Sequence, residues 1–123
     1  MARGLNKLMV IGNLGGDPEV RYTTNARPVA SFSVAVTTRL GDREHTEWFS
    51  VVAWGKLAEI CSQYLSKGSQ VYLEGRLQTR SWEDNDGRER QRTELVVREM
   101  VMLGDGRARS QQADEVDLDE LPF

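Results

Sequence analysis

The sequence predicts an all-β protein with one helix, arranged as a five-stranded Greek-key barrel and followed by a disordered acidic C-terminal tail. Apolar and polar residues alternate with period two over most of the chain, a pattern typical of strands with one buried face. One segment in the middle of the chain has helical periodicity instead. Acidic residues are concentrated in the last ten positions, where no basic residue accompanies them.

Three strands are predicted before the helix. Residues 5–14 form an opening strand that ends at the Gly-Gly-Asp-Pro sequence of 15–18. Residues 29–38 and 47–54 each have apolar side chains at every second position, so each strand offers one face to a core. The other face of the third strand carries Trp48, Ser50, Val52 and Trp54.

Residues 56–68 are predicted to form an amphipathic helix that ends at Gly68, because a glycine after the last periodic position is typical of a helix C-terminus. The apolar positions recur at i, i+3, i+4, i+7 and i+8. They are Leu57, Ile60, Cys61, Tyr64 and Leu65.

Two more strands, 70–82 and 90–103, follow the helix. The pair Asp86-Gly87 between them is typical of a hairpin turn. Val71, Leu73 and Leu77 are expected to face the core. Three strands, a helix and two strands are the element order of the five-stranded oligonucleotide-binding (OB) barrel, which is therefore the predicted fold.

The chain of 123 residues has room for one domain and a tail. We expect the barrel over 1–104, a short flexible linker over 105–113 and an acidic tip over 114–123. Residues 1–104 carry 14 basic and 13 acidic side chains, whereas 105–123 carry 2 and 6. The net charge of −3 therefore reflects the tail and does not exclude a polyanionic partner. No apolar run approaches the roughly 20 residues of a membrane helix, and the start lacks the pattern of a signal peptide, so the expected location is the cytoplasm.

Enzymatic and metal sites find little support in the residue types present. His45 is the only histidine, and its place in a turn region favours a solvated loop residue over a metal ligand. Cys61 lies on the apolar side of the predicted helix, which favours packing over nucleophilic chemistry. We therefore expect no catalytic residues, no metal and no cofactor.

Three tryptophans provide the strongest indication of function. Trp48 and Trp54 share the outward face of one strand, and Trp82 lies in line with Arg76 and Arg80 on another. Exposed indoles among cations suit single-stranded nucleic acid, because bases stack on the rings and phosphates bind the cations. The alternative is that the tryptophans pack under loops or in subunit interfaces of a structural oligomerisation domain.

The residues 3–23, 46–82 and 117–123 closely resemble those of bacterial single-stranded DNA-binding proteins. The resemblance implies a homotetrameric OB barrel that binds single-stranded DNA without sequence preference, with Trp48, Trp54 and Trp82 stacking on bases. It also implies that Gln70 and Tyr72 lie between subunits. Five basic positions match those along the family's DNA path, and Arg76 and Arg88 extend the predicted phosphate-binding set to Arg3, Lys7, Lys56, Lys67, Arg76, Arg80 and Arg88. Some members have a further stacking aromatic where this chain has Leu40.

The acidic tip ends in an apolar ring, a rigid proline and a free carboxylate, which together suit a partner's hydrophobic pocket with a basic rim. The resemblance implies that the tip recruits replication, recombination and repair proteins to coated DNA. The predicted tip residues are Asp117, Leu118, Asp119, Glu120, Leu121, Pro122 and Phe123. The sequence leaves open an alternative function as an OB-fold RNA-binding or primosome accessory protein.

Overall fold

Six strands and one helix form the part of the chain that this computed structural model describes, residues 3–104. In chain order they are β1 (Leu8–Leu14), β2 (Glu19–Tyr22), β3 (Pro28–Leu40), β4 (Arg43–Trp54), α1 (Lys56–Tyr64), β5 (Gln70–Glu83) and β6 (Glu89–Gly104). The predicted linker, 105–113, and the tip, 114–123, lie outside the described residues.

Five of the strands close into a barrel. β1 pairs antiparallel with β5, and β5 pairs antiparallel with β6. β6 then runs parallel to β4, which pairs antiparallel with β3. β3 returns to β1 through the pairs Asn13–Ala35 and Leu14–Val34, so the circle is complete. The predicted barrel with one helix is confirmed.

The short strand β2 was missing from the sequence prediction. It pairs only with residues 28–31 of β3 and adds an edge outside the closed barrel. Its four residues are too few to produce a periodic pattern that distinguishes a strand from a loop. The order of elements is therefore four strands, a helix and two strands.

Closure of the barrel depends on Gly12. A β-carbon at this position would lie 2.4 Å from the carbonyl oxygen of Ala35 and 2.6 Å from Cγ1 of Val34. Only a residue without a side chain lets β1 approach β3 this closely.

The core occupies the barrel interior, where alternate residues of the strands meet. Its largest fully buried side chains come from strands β3 to β6 and from α1, and they are Leu73, Leu95, Val34, Val51, Val71 and Cys61. Helix α1 contributes Ala58 as well as Cys61 and packs against β3 and β4.

The helix ends earlier than the sequence predicted. It stops at Tyr64, and Leu65 is already extended, with a ψ of 146°. Leu65 is buried, and packing it into the core takes the chain out of the helical path. Gly68, expected to cap the helix, has a φ of +92° in the following turn. Tyr64, expected on the apolar side, is 61% exposed.

Two hairpins extend beyond the barrel. The β3–β4 ladder continues to the pair Leu40–Arg43, with residues 37–48 exposed on both faces. The β5–β6 ladder continues to Glu83–Glu89, which confirms the turn predicted at Asp86-Gly87. Leu77 was expected in the core but is 39% exposed, because β5 has begun to leave the barrel at this point.

Candidate nucleic-acid interface

Strand β4 places Trp48 and Trp54 on its outward face. Trp48 is 60% exposed and Trp54 is 39% exposed. Val52 between them was expected to be outward, yet it is buried, since β4 lies between β3 and β6 and Val52 is flanked by Ser31 and Val96. The outward side of β4 between the two indoles therefore contains one buried apolar residue, Val52, and one partly exposed polar residue, Ser50.

The strand register brings Trp82 onto the same side of the sheet. Ser50 of β4 lies beside Glu94 of β6, and Glu94 lies opposite Gln78 of β5. Paired residues direct their side chains to the same side, and every second residue repeats this direction. Trp82, four residues after Gln78, therefore faces the same way as Trp48 and Trp54. We call this surface the tryptophan face, defined by Trp48, Trp54, Trp82 and the outward side chains between them.

The ring of Trp48 lies against a glycine of the loop between β1 and β2. A β-carbon on Gly15 would lie 2.5 Å from Cζ3 of Trp48 and 3.0 Å from Oγ of Ser33. The missing side chain of Gly15 lets the loop support one part of the indole, and more than half of the residue stays open to solvent.

Guanidinium groups lie over the other two indoles. Cζ of Arg27 is 5.3 Å from the ring centroid of Trp54, and Cζ of Arg80 and Arg92 are 4.9 and 5.9 Å from that of Trp82. These distances are within the range of cation–π attraction. The contacts fix both rings to the tryptophan face and concentrate positive charge beside them.

Arg80 has a second partner on the same face. Its Nε and Nη2 donate to Oε1 and Oε2 of Glu94 at 3.3 and 3.5 Å. The Glu94 residue is 8% exposed, and a carboxylate that is so buried needs a paired cation. Part of the charge of Arg80 is thus already balanced within the protein.

A groove of about 270 Å³ lies on the tryptophan face. Serines of β3 and β4 line it together with Arg92, Glu94 and the acidic residues Asp17 and Glu19. Arg92 lines the groove and also lies over Trp82. The groove and the Trp82 ring therefore adjoin through this one side chain.

Three of the cations predicted to bind phosphate lie on or beside the tryptophan face. Arg80 and Arg76 project from β5 with Trp82, and Nη2 of Arg76 donates to Oε1 of Gln78 at 3.0 Å. Lys56 is the exposed first residue of α1 and follows Trp54 by two positions.

The other four predicted cations are spread around the barrel. Nζ of Lys7 lies 3.6 Å from Oε2 of Glu74, near the start of β5 and eight residues before Trp82. The backbone N–H of Lys67 donates to Oδ1 of Asp17 at 2.8 Å, and the Lys67 residue is exposed. Arg3 and Arg88 are exposed in the N-terminal segment and in the β5–β6 turn. The seven cations do not form one cluster.

Gln70 and Tyr72, the predicted subunit-contact residues, lie on the outer surface of β5. The hydroxyl of Tyr72 donates to Oε1 of Glu74 at 2.7 Å. This hydrogen bond lowers the pKa of Glu74, aided by Lys7, and raises the pKa of Tyr72. The neighbouring outward residues are partly apolar and exposed: Met9, Ile11 and Val101. We call Met9, Ile11, Gln70, Tyr72 and Val101 the β1–β5–β6 surface.

Cys61 and His45, considered above as a nucleophile and a metal ligand, lie in surroundings that do not favour these roles. Burial raises the pKa of Cys61 to about 11, which disfavours its thiolate. His45 lies in β4, not in a turn as expected, and Nε2 is 2.9 Å from Oε1 of Glu47. Within residues 3–104, no group of three or more His, Cys, Asp or Glu side chains could hold a metal, and no helix is long and apolar enough to cross a membrane.

Residues 5–103 match the model of the Single-strand binding protein family. The chain belongs to this family. Among curated members, it is 56% identical over 110 residues to Single-stranded DNA-binding protein 1 of Chlorobaculum tepidum, an alignment that covers 85% of this chain and 68% of that protein. The barrel is also similar to the solved structure titled "Plasmodium falciparum SSB complex with ssDNA", with a TM-score of 0.75, 28% identity, and coverage of 84% of this chain and 98% of that one.

Sequence reasoning missed two cations on the tryptophan face of this single-strand binding protein family member. Arg92 was detectable in principle, because a hairpin centred on 86–87 places it opposite Arg80. Arg27 precedes β3 and is separated by 27 residues from the indole that it covers. No periodic signal links the two positions, so only the folded chain reveals their contact.

Proposed function

We propose that the chain binds single-stranded DNA through the tryptophan face, without base preference and without catalysis. The observation that carries this proposal is the register of β4, β6 and β5, which brings three indoles and several arginines to one side of one sheet. Membership of the Single-strand binding protein family and the similarity to a solved complex with single-stranded DNA give it independent support.

Stacking and charge would contribute together to the binding free energy. Each base stacked on an indole is worth about 1–3 kcal/mol, and every base has a ring face to stack. Each phosphate neutralised by an arginine or lysine releases counterions, which makes the affinity fall as salt rises. The proposed phosphate ligands are Arg3, Lys7, Lys56, Lys67, Arg76, Arg80 and Arg88.

We also propose that the chain assembles as a homotetramer and that the β1–β5–β6 surface contributes to subunit contacts. Its apolar members Met9, Ile11 and Val101 are 59%, 42% and 51% exposed, and association would remove this apolar area from water. Sedimentation equilibrium tests the proposal, and a monomer at all concentrations would contradict it.

In the cell, such a protein would coat and protect single strands during replication, recombination and repair, in the cytoplasm and on the nucleoid. The tip residues 117–123 would recruit partner proteins, since their acids suit a basic rim and their terminal ring suits an apolar pocket. The residue types of the tip support this role, and the tip lies outside the described residues.

Titration of the intrinsic tryptophan fluorescence tests the proposed function directly. Mixed-sequence DNA single strands should quench the emission, because stacked bases quench indoles, and should do so with similar affinity for different sequences. Affinity should decrease as salt increases. Absence of quenching by any single strand would favour tryptophans in protein interfaces, and equal or tighter binding of RNA of the same length would favour the RNA-binding alternative.

A further inference from the structure

Two arginines outside the predicted phosphate-binding set lie over tryptophans of the proposed DNA surface. They are Arg27 on Trp54 and Arg92 on Trp82, at 5.3 and 5.9 Å from the ring centroids. Both residues are exposed, so each guanidinium is accessible from solvent while it lies beside an indole.

The backbone of Arg27 is held in place by a tight turn. Its N–H donates to Oγ1 of Thr23 at 3.1 Å, and its carbonyl accepts the N–H of Thr23 at 2.9 Å. The guanidinium also lies over Gly55, with Nε 3.8 Å from the position that a β-carbon would occupy there. Gly55 thus leaves space in which Arg27 can lie across the end of β4.

Arg92 is held by its strand position. It lies opposite Arg80 in the β5–β6 ladder, lines the groove of about 270 Å³ and reaches the ring of Trp82. A strand of DNA that follows the groove to Trp82 would pass this guanidinium.

These two arginines differ from several other cations of the barrel in forming no ion pair. Among the described residues, Arg80 is paired with Glu94, Arg90 with Asp84 and Lys7 with Glu74, whereas neither Arg27 nor Arg92 takes part in a salt bridge. An unpaired exposed guanidinium can bind a phosphate without first losing a carboxylate partner.

We propose that Arg27 and Arg92 are phosphate-binding residues, each of which holds the backbone of the nucleotide whose base stacks on Trp54 or Trp82. This inference rests on the proposed function, since it assigns further ligands to the same surface. Indole and guanidinium form one unit, in which the ring binds the base and the adjacent cation binds its phosphate. The unit contains no group that reads base identity, so it preserves binding without base preference.

The test measures the slope of log K against log salt for a fluorescently labelled oligothymidylate. The variants are Arg27→Gln, Arg92→Gln, their double variant, and Arg27→Lys with Arg92→Lys, which keep the charge. Each loss of an arginine should make the slope shallower by about 0.7, the value expected for one phosphate contact on a single strand. The double variant should lose about twice this amount, and the lysine variants should retain the wild-type slope. Arg43→Gln serves as the control, because it removes an exposed arginine near the tip of the β3–β4 hairpin, on the opposite side of β4 from Trp48 and outside the proposed phosphate-binding set.

Unchanged slopes in both glutamine variants would overturn the inference, as would an equal loss in Arg43→Gln, which would indicate a general charge effect. Alanine at 27 and 92 provides a second pair of variants if glutamine impairs folding, which circular dichroism would detect. A wild-type protein that fails to bind the oligomer would refute the proposed function itself, a result distinct from failure of this inference.

Discussion

Replacement of Trp48 by alanine should weaken DNA binding while the protein stays folded. Trp48 is the most exposed of the three tryptophans, at 60%, and among the described residues no guanidinium lies over its ring. Loss of one base stack should cost about 1–3 kcal/mol, which corresponds to about a 5- to 150-fold lower affinity.

The expected cost in stability follows from the covered part of the side chain. Two-fifths of Trp48 is covered, or about 100 Å² of an area of about 250 Å². At about 25 cal/mol per Å², its loss amounts to at most about 2.5 kcal/mol. Domains are commonly stable by about 5–15 kcal/mol, so most molecules should remain folded.

Fluorescence anisotropy of a labelled oligomer gives the affinity of the variant independently of its own tryptophans, and urea denaturation gives its free energy of unfolding. Trp48→Phe is the matched control, because phenylalanine retains a stacking ring and should lose less affinity than alanine. Wild-type affinity in Trp48→Ala would refute the stacking role. A larger loss of stability than in Leu73→Ala, a change in the core, would instead identify Trp48 as a structural residue.

Three further predictions concern closure of the barrel, the dependence of stability on pH, and partner binding by the tip. Gly12→Ala should destabilise the barrel by about 1–3 kcal/mol or more, since its β-carbon would overlap the carbonyl of Ala35; a wild-type urea midpoint would contradict this. The pKa of Glu74 is lowered from 4.5, first by its hydrogen bond from Tyr72, so its contribution to stability is present above pH 4.5 and is lost as pH falls through the folded-state value. In thermal denaturation, the melting temperature of Glu74→Gln should therefore decrease less between neutral and acid pH than that of the wild type. Identical pH profiles would show that Glu74 makes no such contribution to stability. Deletion of residues 122–123 should abolish partner capture in pull-downs while DNA affinity stays within about twofold, and retained capture would show that the ring and proline are dispensable.

The local features of this fold could be predicted from the sequence because they depend on neighbouring residues. Period-two alternation gave the barrel strands, and the pair Asp86-Gly87 gave the β5–β6 hairpin. Period two also indicated that Trp48 and Trp54 share a face, and both are exposed. The predicted end of the helix at Gly68 was wrong, because Leu65 leaves the helical path to pack in the core, and this tertiary contact overrides the local signal of the glycine.

Alternation within each strand fixes the side of the strand on which a residue lies, so that side could be predicted from the sequence. Which outward faces adjoin depends on how the strands pair in the folded barrel. The parallel pairing of β4 with β6 unites Trp48 with Trp82, and the turn before β3 brings Arg27 to Trp54. These contacts join residues far apart in the chain, and their geometry is set by closure of the barrel, where the close approach at Gly12 fixes β1 against β3. No periodicity within one segment encodes that closure.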